Sequence, residues 1–320
     1  MPELTLQGLT IENFKEKSKP VFLGWLAAEL AKLQTDKSYA WISAIYERLH
    51  KPGSTVIEWG DLGTMPQWMP RMETEDSAQT ELPIPEYILQ YFEQYSSEYP
   101  ISQEYFEEKA RVEQRDELAK DYMQMLAQAA MDTRAALAVL PFLDAFDGNY
   151  YVSKNDVPLC GTHTLPGGSH TNKTDLQLSP EGLDAMDDSV VEVFTDQGIP
   201  VTFDYDIVLV GDLLYPKAMD IVTASGEYSG NQNVRNRYKD KRVVLCPWFR
   251  ERIMSGAGSM WFGLSSKMLK FIEAWSLKPT IDVYKVDKNL THYVRGRMKL
   301  THGWKTPVGV FGSTGEVAPT

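Results

Sequence analysis

Cysteine is scarce in this chain: Cys160 and Cys246 are the only two in 320 residues. Two thiols cannot build a disulfide framework, so a reducing, intracellular compartment is the expectation. Long apolar runs are missing too, and no stretch approaches the roughly eighteen apolar residues of a membrane-crossing helix. The opening residues, MPELTLQGLT, lack a basic start and an apolar core, so they do not read as a secretory signal. Positive charge is in deficit, with 32 Lys and Arg against 44 Asp and Glu and a net charge of −12. Proteins that grip nucleic acid through its phosphates show the opposite sign, which argues against tight non-specific DNA binding. Internal repeats and low-complexity tracts are absent. So are the phosphate-cradling G-x-x-x-x-G-K-[ST], the dinucleotide-binding G-x-G-x-x-G and the nucleophile elbow G-x-S-x-G.

What the chain does have is a globular composition, 43% hydrophobic and 24% charged, with eight Trp and sixteen Tyr. Such aromatic content suits extensive packed or interfacial surface. Residues 20–34 place Phe22, Trp25, Leu26, Leu30 and Leu33 at helical spacing, and 37–49 place Trp41, Ile45 and Leu49 on one helical face. Pro52 and Gly53 break that pattern. The stretch TVIEWGDLGTMPQWMPRMETEDSA then alternates briefly before a run of turn residues, which predicts a long β-hairpin-like excursion carrying Trp59 and Trp68. A lid on its own domain and an arm reaching another subunit are equal readings of it.

The clearest periodicity runs from Gln114 to Leu140, where Leu118, Tyr122, Met125, Ala129, Thr133, Ala136 and Leu140 recur every three or four residues. Pro141 should end this helix. Ser179 and Pro180 open a helix expected over 179–197, with Leu183, Met186, Val190 and Phe194 facing the core. A strand over 201–211, a helix in LLYPKAMDIVTAS, and strands at 242–246, 259–266 and within 280–300 follow. This order indicates an α+β or α/β core with β-rich material at its end.

Chemistry concentrates in DVPLCGTHTLPGGSH, which holds Cys160, His163 and His170. Zinc sites use four protein ligands, or three and an open position, and this spacing matches neither pattern. The competing reading is a polar loop with a half-buried cysteine. A Cys160–His163 nucleophilic dyad is conceivable on paper, since a thiol needs a neighbouring base. Asp184, Asp187 and Asp188 share one helical arc and read as a solvated face. The basic run NVRNRYKDKR (233–242) reads by default as a solvated loop, with nucleic acid or an acidic partner subunit as its other options. No catalytic, metal or cofactor-binding residue is assigned.

From the long helix onward the order of segments resembles a tailed-bacteriophage major capsid protein, the coat-protein fold shared by tailed phages and herpesviruses. The Mu-like major head subunit group is the nearest. The resemblance rests on DGNYYVSKNDVPLCGTHTLPGG, the SPEGLDAM helix, QGIPVTFDYDIVLVGDLLYPKAMDIVTAS, GNQNVRN, VVLCPWF, SMWFGLSS and TIDVYKVDKNLTHYVRGRMKLTHGW, in that order over 115–310. It implies an α+β fold with an N-terminal arm and leading helices (1–50) and an extended β-hairpin loop (51–95). A peripheral domain (96–175) would hold the spine helix at 106–141 and the loop after it. An axial domain (176–280) and return strands to the peripheral domain (281–320) would complete the chain.

The resemblance further implies a structural, non-enzymatic subunit that forms hexamers and pentamers of an icosahedral shell around double-stranded DNA. Its partners would be other copies, a portal, a separate scaffolding protein and a decoration protein. Packaged DNA would be held without sequence-specific binding, and no membrane is involved. Such a subunit assembles in the host cytoplasm and resides in the virion. Trp59, Met65, Trp68, Met69, Arg235 and Arg237 would be intersubunit contacts, and Cys160 and its histidines would pack at a subunit boundary. The rival expectation is a soluble metal- or nucleotide-dependent enzyme using Cys160, His163 and His170.

Overall fold

The computed structural model describes residues 14–61, 86–101, 112–148, 157–165, 168–193, 200–225, 236–250, 253–268, 271–286 and 291–317. Helix α1 (Phe14–Gln34) begins before the periodic segment, and Pro20 sits on its exposed flank. Phe22 and Leu26 are buried against Ala119, Met123 and Ala127 of the long helix and Ile281, Val283 and Val294 of a sheet. Asp36 caps α2 (Lys37–Ile45) by accepting from the Ser38 N–H at 2.8 Å. The helix expected through residue 49 stops at Ile45, because β1 (Tyr46–His50) pairs in parallel with β11 (Phe271–Val286). Leu49 therefore packs with Ile57, Phe92, Ile272 and Ala274 instead of continuing the helical face.

Helix α3 (Val112–Leu143) extends the periodic segment Gln114–Leu140 at both ends, and residues 106–111 of the expected spine lie outside the described residues. Pro141 lies inside its last turn rather than ending it, and the chain leaves the helix through Gly148, at φ 71°, whose N–H bonds Asp144 O at 3.1 Å. Its Ala-rich half (Ala127, Ala135 and Ala138, all fully buried) lets neighbouring backbone approach closely.

Two larger sheets follow. The first has strand order β1-β11-β12-β4, with β4 at Glu93–Ile101 and β12 at Thr291–Trp304. The second has order β7-β13-β10-β8-β9, from Lys173–Leu176, Val310–Val317, Trp261–Leu264, Ile207–Val210 and Arg242–Leu245. Two hairpins stand apart: β2 (Val56–Asp61) with β3 (Glu86–Tyr91), and β5 (Thr162–Leu165) with β6 (Gly168–Thr171). Only residues 207–210 of the expected 201–211 strand form a ladder, while β11 and β12 are longer than expected and β11 continues through residue 280 with two register shifts against β12, between Trp275 and Leu277 and between Leu277 and Thr280.

Phe142, at the end of α3, joins the two sheets. Its ring stacks on Phe271 of the first at 4.8 Å and meets Phe262 of the second edge-on at 5.2 Å. Aromatic pairs of this kind contribute about 1 kcal/mol beyond burial, and full burial of such a ring adds about 2–3 kcal/mol. A second core forms where α4 (Pro180–Asp188) and α5 (Tyr215–Thr223) cover the five-stranded sheet through Leu183, Met186, Ala218 and Ile221. Ser179 caps α4 as its sequence predicts, accepting from the Gly182 N–H at 3.1 Å, but α4 is half the expected length and gives way to a 3-10 turn at Ser189–Glu192. Phe194 lies outside the described residues. No described helix is long and apolar enough to cross a membrane.

Candidate functional site

The segment richest in chemical side chains is a buried hairpin. His163 and His170 stand opposite each other across β5 and β6. Both are buried, and His163 Nε2 lies 3.2 Å from Leu159 O. Burial holds the His163 pKa below its ordinary value, with the Leu159 carbonyl opposing. Cys160 is fully buried in the main core, not half-buried and not at the chain's surface. Its Sγ sits so close to β13 that a Cβ on Gly312 would lie 2.5 Å from it. Burial pushes this thiol, and that of Cys246, above the ordinary thiol range, so neither is poised as a nucleophile. Among the described residues, no three His, Cys, Asp or Glu side chains are grouped to hold a metal.

Asn172 organises this hairpin. Its Nδ2 donates to Leu159 O and Val310 O, both at 2.9 Å, and its Oδ1 accepts from the Gly161 N–H at 2.8 Å. A fully buried amide with its hydrogen bonds made is a structural clamp. Nothing in the periodicity marks it.

The acidic arc and the basic run, expected to be solvated, pair with each other inside the chain. Arg237 donates to Asp184, and Tyr238 donates its hydroxyl to Asp184 Oδ1 at 2.7 Å. Lys241 Nζ donates to Asp187 Oδ1 at 2.7 Å and to Tyr205 O at 2.9 Å. Burial raises the Asp187 pKa, and Lys241 opposes that rise. Asn236 Nδ2 reaches Ile221 O at 2.8 Å and Ala224 O at 3.1 Å, closing the C-terminal end of α5. Arg235 lies outside the described residues.

The most demanding polar group is Glu273, fully buried on β11. Arg134 of α3 grips it bidentately, Nε–Oε1 at 2.5 Å and Nη2–Oε2 at 2.9 Å. Arg48 of β1 reaches it at 3.2 Å and His302 of β12 at 3.3 Å. Burial alone would raise the Glu273 pKa, but the hydrogen bonds and charges of His302 and Arg134 hold it well below the carboxylate range. One carboxylate thus ties four elements together. A glutamate inside the apolar run FIEAW is the sequence signal that could have found it.

The predicted excursion leaves the opposite face of the same sheet. β2 and β3 pair antiparallel, with Trp59 opposite Ile88. Their base is fixed by Phe92 N–H to Thr55 O at 3.0 Å, by Ser276 Oγ to Ser54 O at 2.7 Å, and by Gln90 to His302 O. Tyr91 is 70% exposed there. Met65, Trp68 and Met69 fall on the part of the excursion outside the described residues.

This arrangement resembles solved shell proteins. The capsid of a native GTA particle superposes with a TM-score of 0.50 at 8% identity, covering 86% of this chain and 89% of that one. The chain has the tailed-phage major capsid fold. Its long α3 is consistent with the spine helix of that fold. Two weaker likenesses are to the capsid of Myoviridae Phage XM1 (12% identity, 82% of this chain and 86% of that, TM-score 0.48) and a virus-like particle from Pyrococcus furiosus (7%, 93% and 99%, 0.48). No protein-family model matches the chain, and no curated protein sequence does.

Proposed function

We propose that this chain is the building block of a closed icosahedral shell, a major capsid protein assembling as hexamers and pentamers around double-stranded DNA. The carrying observation is the fold likeness to a capsid subunit over 86% of the chain. The projecting β2–β3 hairpin supports it, since a two-stranded ribbon buries little of its own surface and gains by lying on a neighbour. A net charge of −12 suits a container that must not bind its cargo to its wall. The Mu-like head subunit group, the arm, loop, peripheral and axial divisions, and a virion location belong to the same proposal. So do the portal, scaffolding and decoration partners. Trp59, Met65, Trp68, Met69, Arg235 and Arg237 are its proposed intersubunit contacts.

Electron microscopy of the purified chain tests this. Hexamers or closed shells are expected, and a compact monomer at all concentrations overturns it. Nuclease-protected DNA inside the shells separates a genome container from an empty compartment. The assembly is non-covalent in this proposal, so boiling in SDS should leave monomer-sized bands alone.

A further inference from the structure

One polar row runs across three strands of the four-stranded sheet. Arg48 of β1 lies directly opposite Glu273 of β11, and Glu273 directly opposite His302 of β12. Both neighbours reach its carboxylate, and Arg134 of α3 closes on it from the inner face with two hydrogen bonds. On the outer face the residues flanking Glu273, Ile272 and Ala274, pack against Ile57 and Phe92 at the base of the β2–β3 hairpin. Helix and hairpin thus grip the same short stretch of β11 from opposite sides.

The hairpin is also tied to the row itself. Gln90 of β3 donates to His302 O, and Arg48 lies on the strand that leads through the Lys51–Ser54 turn into β2. The Lys51 N–H donates to Trp275 O at 2.8 Å and Ser276 Oγ to Ser54 O at 2.7 Å, so both legs of the hairpin are fastened beside Glu273.

Stability alone does not account for the row. Desolvation cancels much of the Coulombic gain of a buried ion pair, and apolar side chains of the same volume hold elements together as firmly. What the charges add is direction. A bidentate guanidinium meets a carboxylate in one plane, so α3 orients Glu273, and Glu273 orients Arg48 and His302. A two-stranded ribbon is marginal by itself and takes its direction from its base.

We propose that the Arg48–Glu273–His302 row, clamped by Arg134, couples α3 through the sheet to the β2–β3 hairpin, so that helix and hairpin keep one fixed angle. This goes beyond the shell reading, because the coupling belongs to the single chain. For an arm that must meet a neighbour, the angle decides where it lands.

Pulsed electron paramagnetic resonance on the full chain tests the coupling. Spin labels on Glu58→Cys of β2 and Met125→Cys of α3, both exposed positions, report the angle, while Cys160 and Cys246 are buried beyond reach of the reagent. Dilution with unlabelled chain confines the reading to distances within one copy. Arg134→Gln removes the clamp on the face away from the hairpin, and Gln90→Leu cuts the tie at the hairpin. Each should widen the distance distribution about twofold, and the double variant should widen it no further, because both cut one connection. Asn172→Ala, of similar cost to the fold but tied to Leu159 and Val310 instead, should leave the distribution narrow.

An unchanged distribution in Arg134→Gln with native circular dichroism overturns the coupling. So does additive widening in the double variant, or equal widening in Asn172→Ala, which marks general loosening. If Arg134→Gln loses its native circular dichroism, Arg134→Lys takes its place, keeping the charge and losing the fork. Widening there supports the coupling, and a narrow distribution overturns it.

Discussion

The two faces of one sheet use the same chemistry to opposite ends. On the inner face, Glu273 meets Arg134 and His302 with its side chain fully buried, and Arg48 joins from the edge. On the outer face, nine positions along the same strand, Asp282 meets Arg295, Arg297 and Lys19 with 24% of its side chain exposed. Water sets the difference. A buried carboxylate stripped of solvent depends wholly on its partners, so breaking that cluster is severe. A partly exposed one is screened by water and contributes less to stability.

Breaking the inner cluster should have the largest effect. Glu273→Gln should cost about 3–5 kcal/mol, read as a lowered urea midpoint. Its pH behaviour identifies the cause. Because the folded pKa lies below the ordinary 4.5, this contribution is full above that value and is lost as pH falls through the folded pKa. The variant should lack that acid-side loss.

Asn172→Ala carries the same test to the buried hairpin, where it strands two carbonyls and one N–H. Its expected cost is about 3 kcal/mol by denaturant titration. Gly312→Ala drives a methyl group into the Cys160 sulfur and should cost about 1–3 kcal/mol in the same measurement.

The His163 titration is smaller and of known sign. Its folded pKa lies below 6.5, so the unfolded chain takes up the proton first and stability falls as pH drops from about 6.5 toward the folded value. His163→Gln should flatten that slope in part, since burial also lowers the His292 pKa. Asp282→Asn on the outer face should change stability by less than about 1 kcal/mol. A large loss of stability there would erase the contrast between the faces.

Much of the fold was legible where local physics is decisive. Ser179 with Pro180 fixes the start of α4, while the repeat from Leu118 to Leu140 marks the presence of α3 but not its core face: Leu118 and Met125 are exposed, and the stripe beside them, Ala119, Met123, Ala127, Met131 and Ala135, is buried. Boundaries misread came from tertiary override. Leu49 fits a helical face until β11 offers β1 a ladder, and Pro141 sits in a last turn that packing on Phe271 and Phe262 sustains. The cluster that looked most chemical, Cys160 with His163 and His170, is core, while the polar groups that matter most were silent. Asn172 and Arg134 gain their importance from carbonyls and a carboxylate far along the chain, and periodicity carries no trace of such partners.

The sequence by itself determined the starts of α2 and α4, the presence of the long helix and the anionic balance. Each depends on neighbours within a few residues or on a simple sum of charges. Only the tertiary structure decided which polar groups are buried, that the acidic arc of α4 pairs with Arg237 and Lys241, and which face of the long sheet keeps its cations exposed. Those outcomes turn on desolvation. Whether a charge stabilises, threatens or recruits depends on how much water remains beside it, and the folded chain alone sets that.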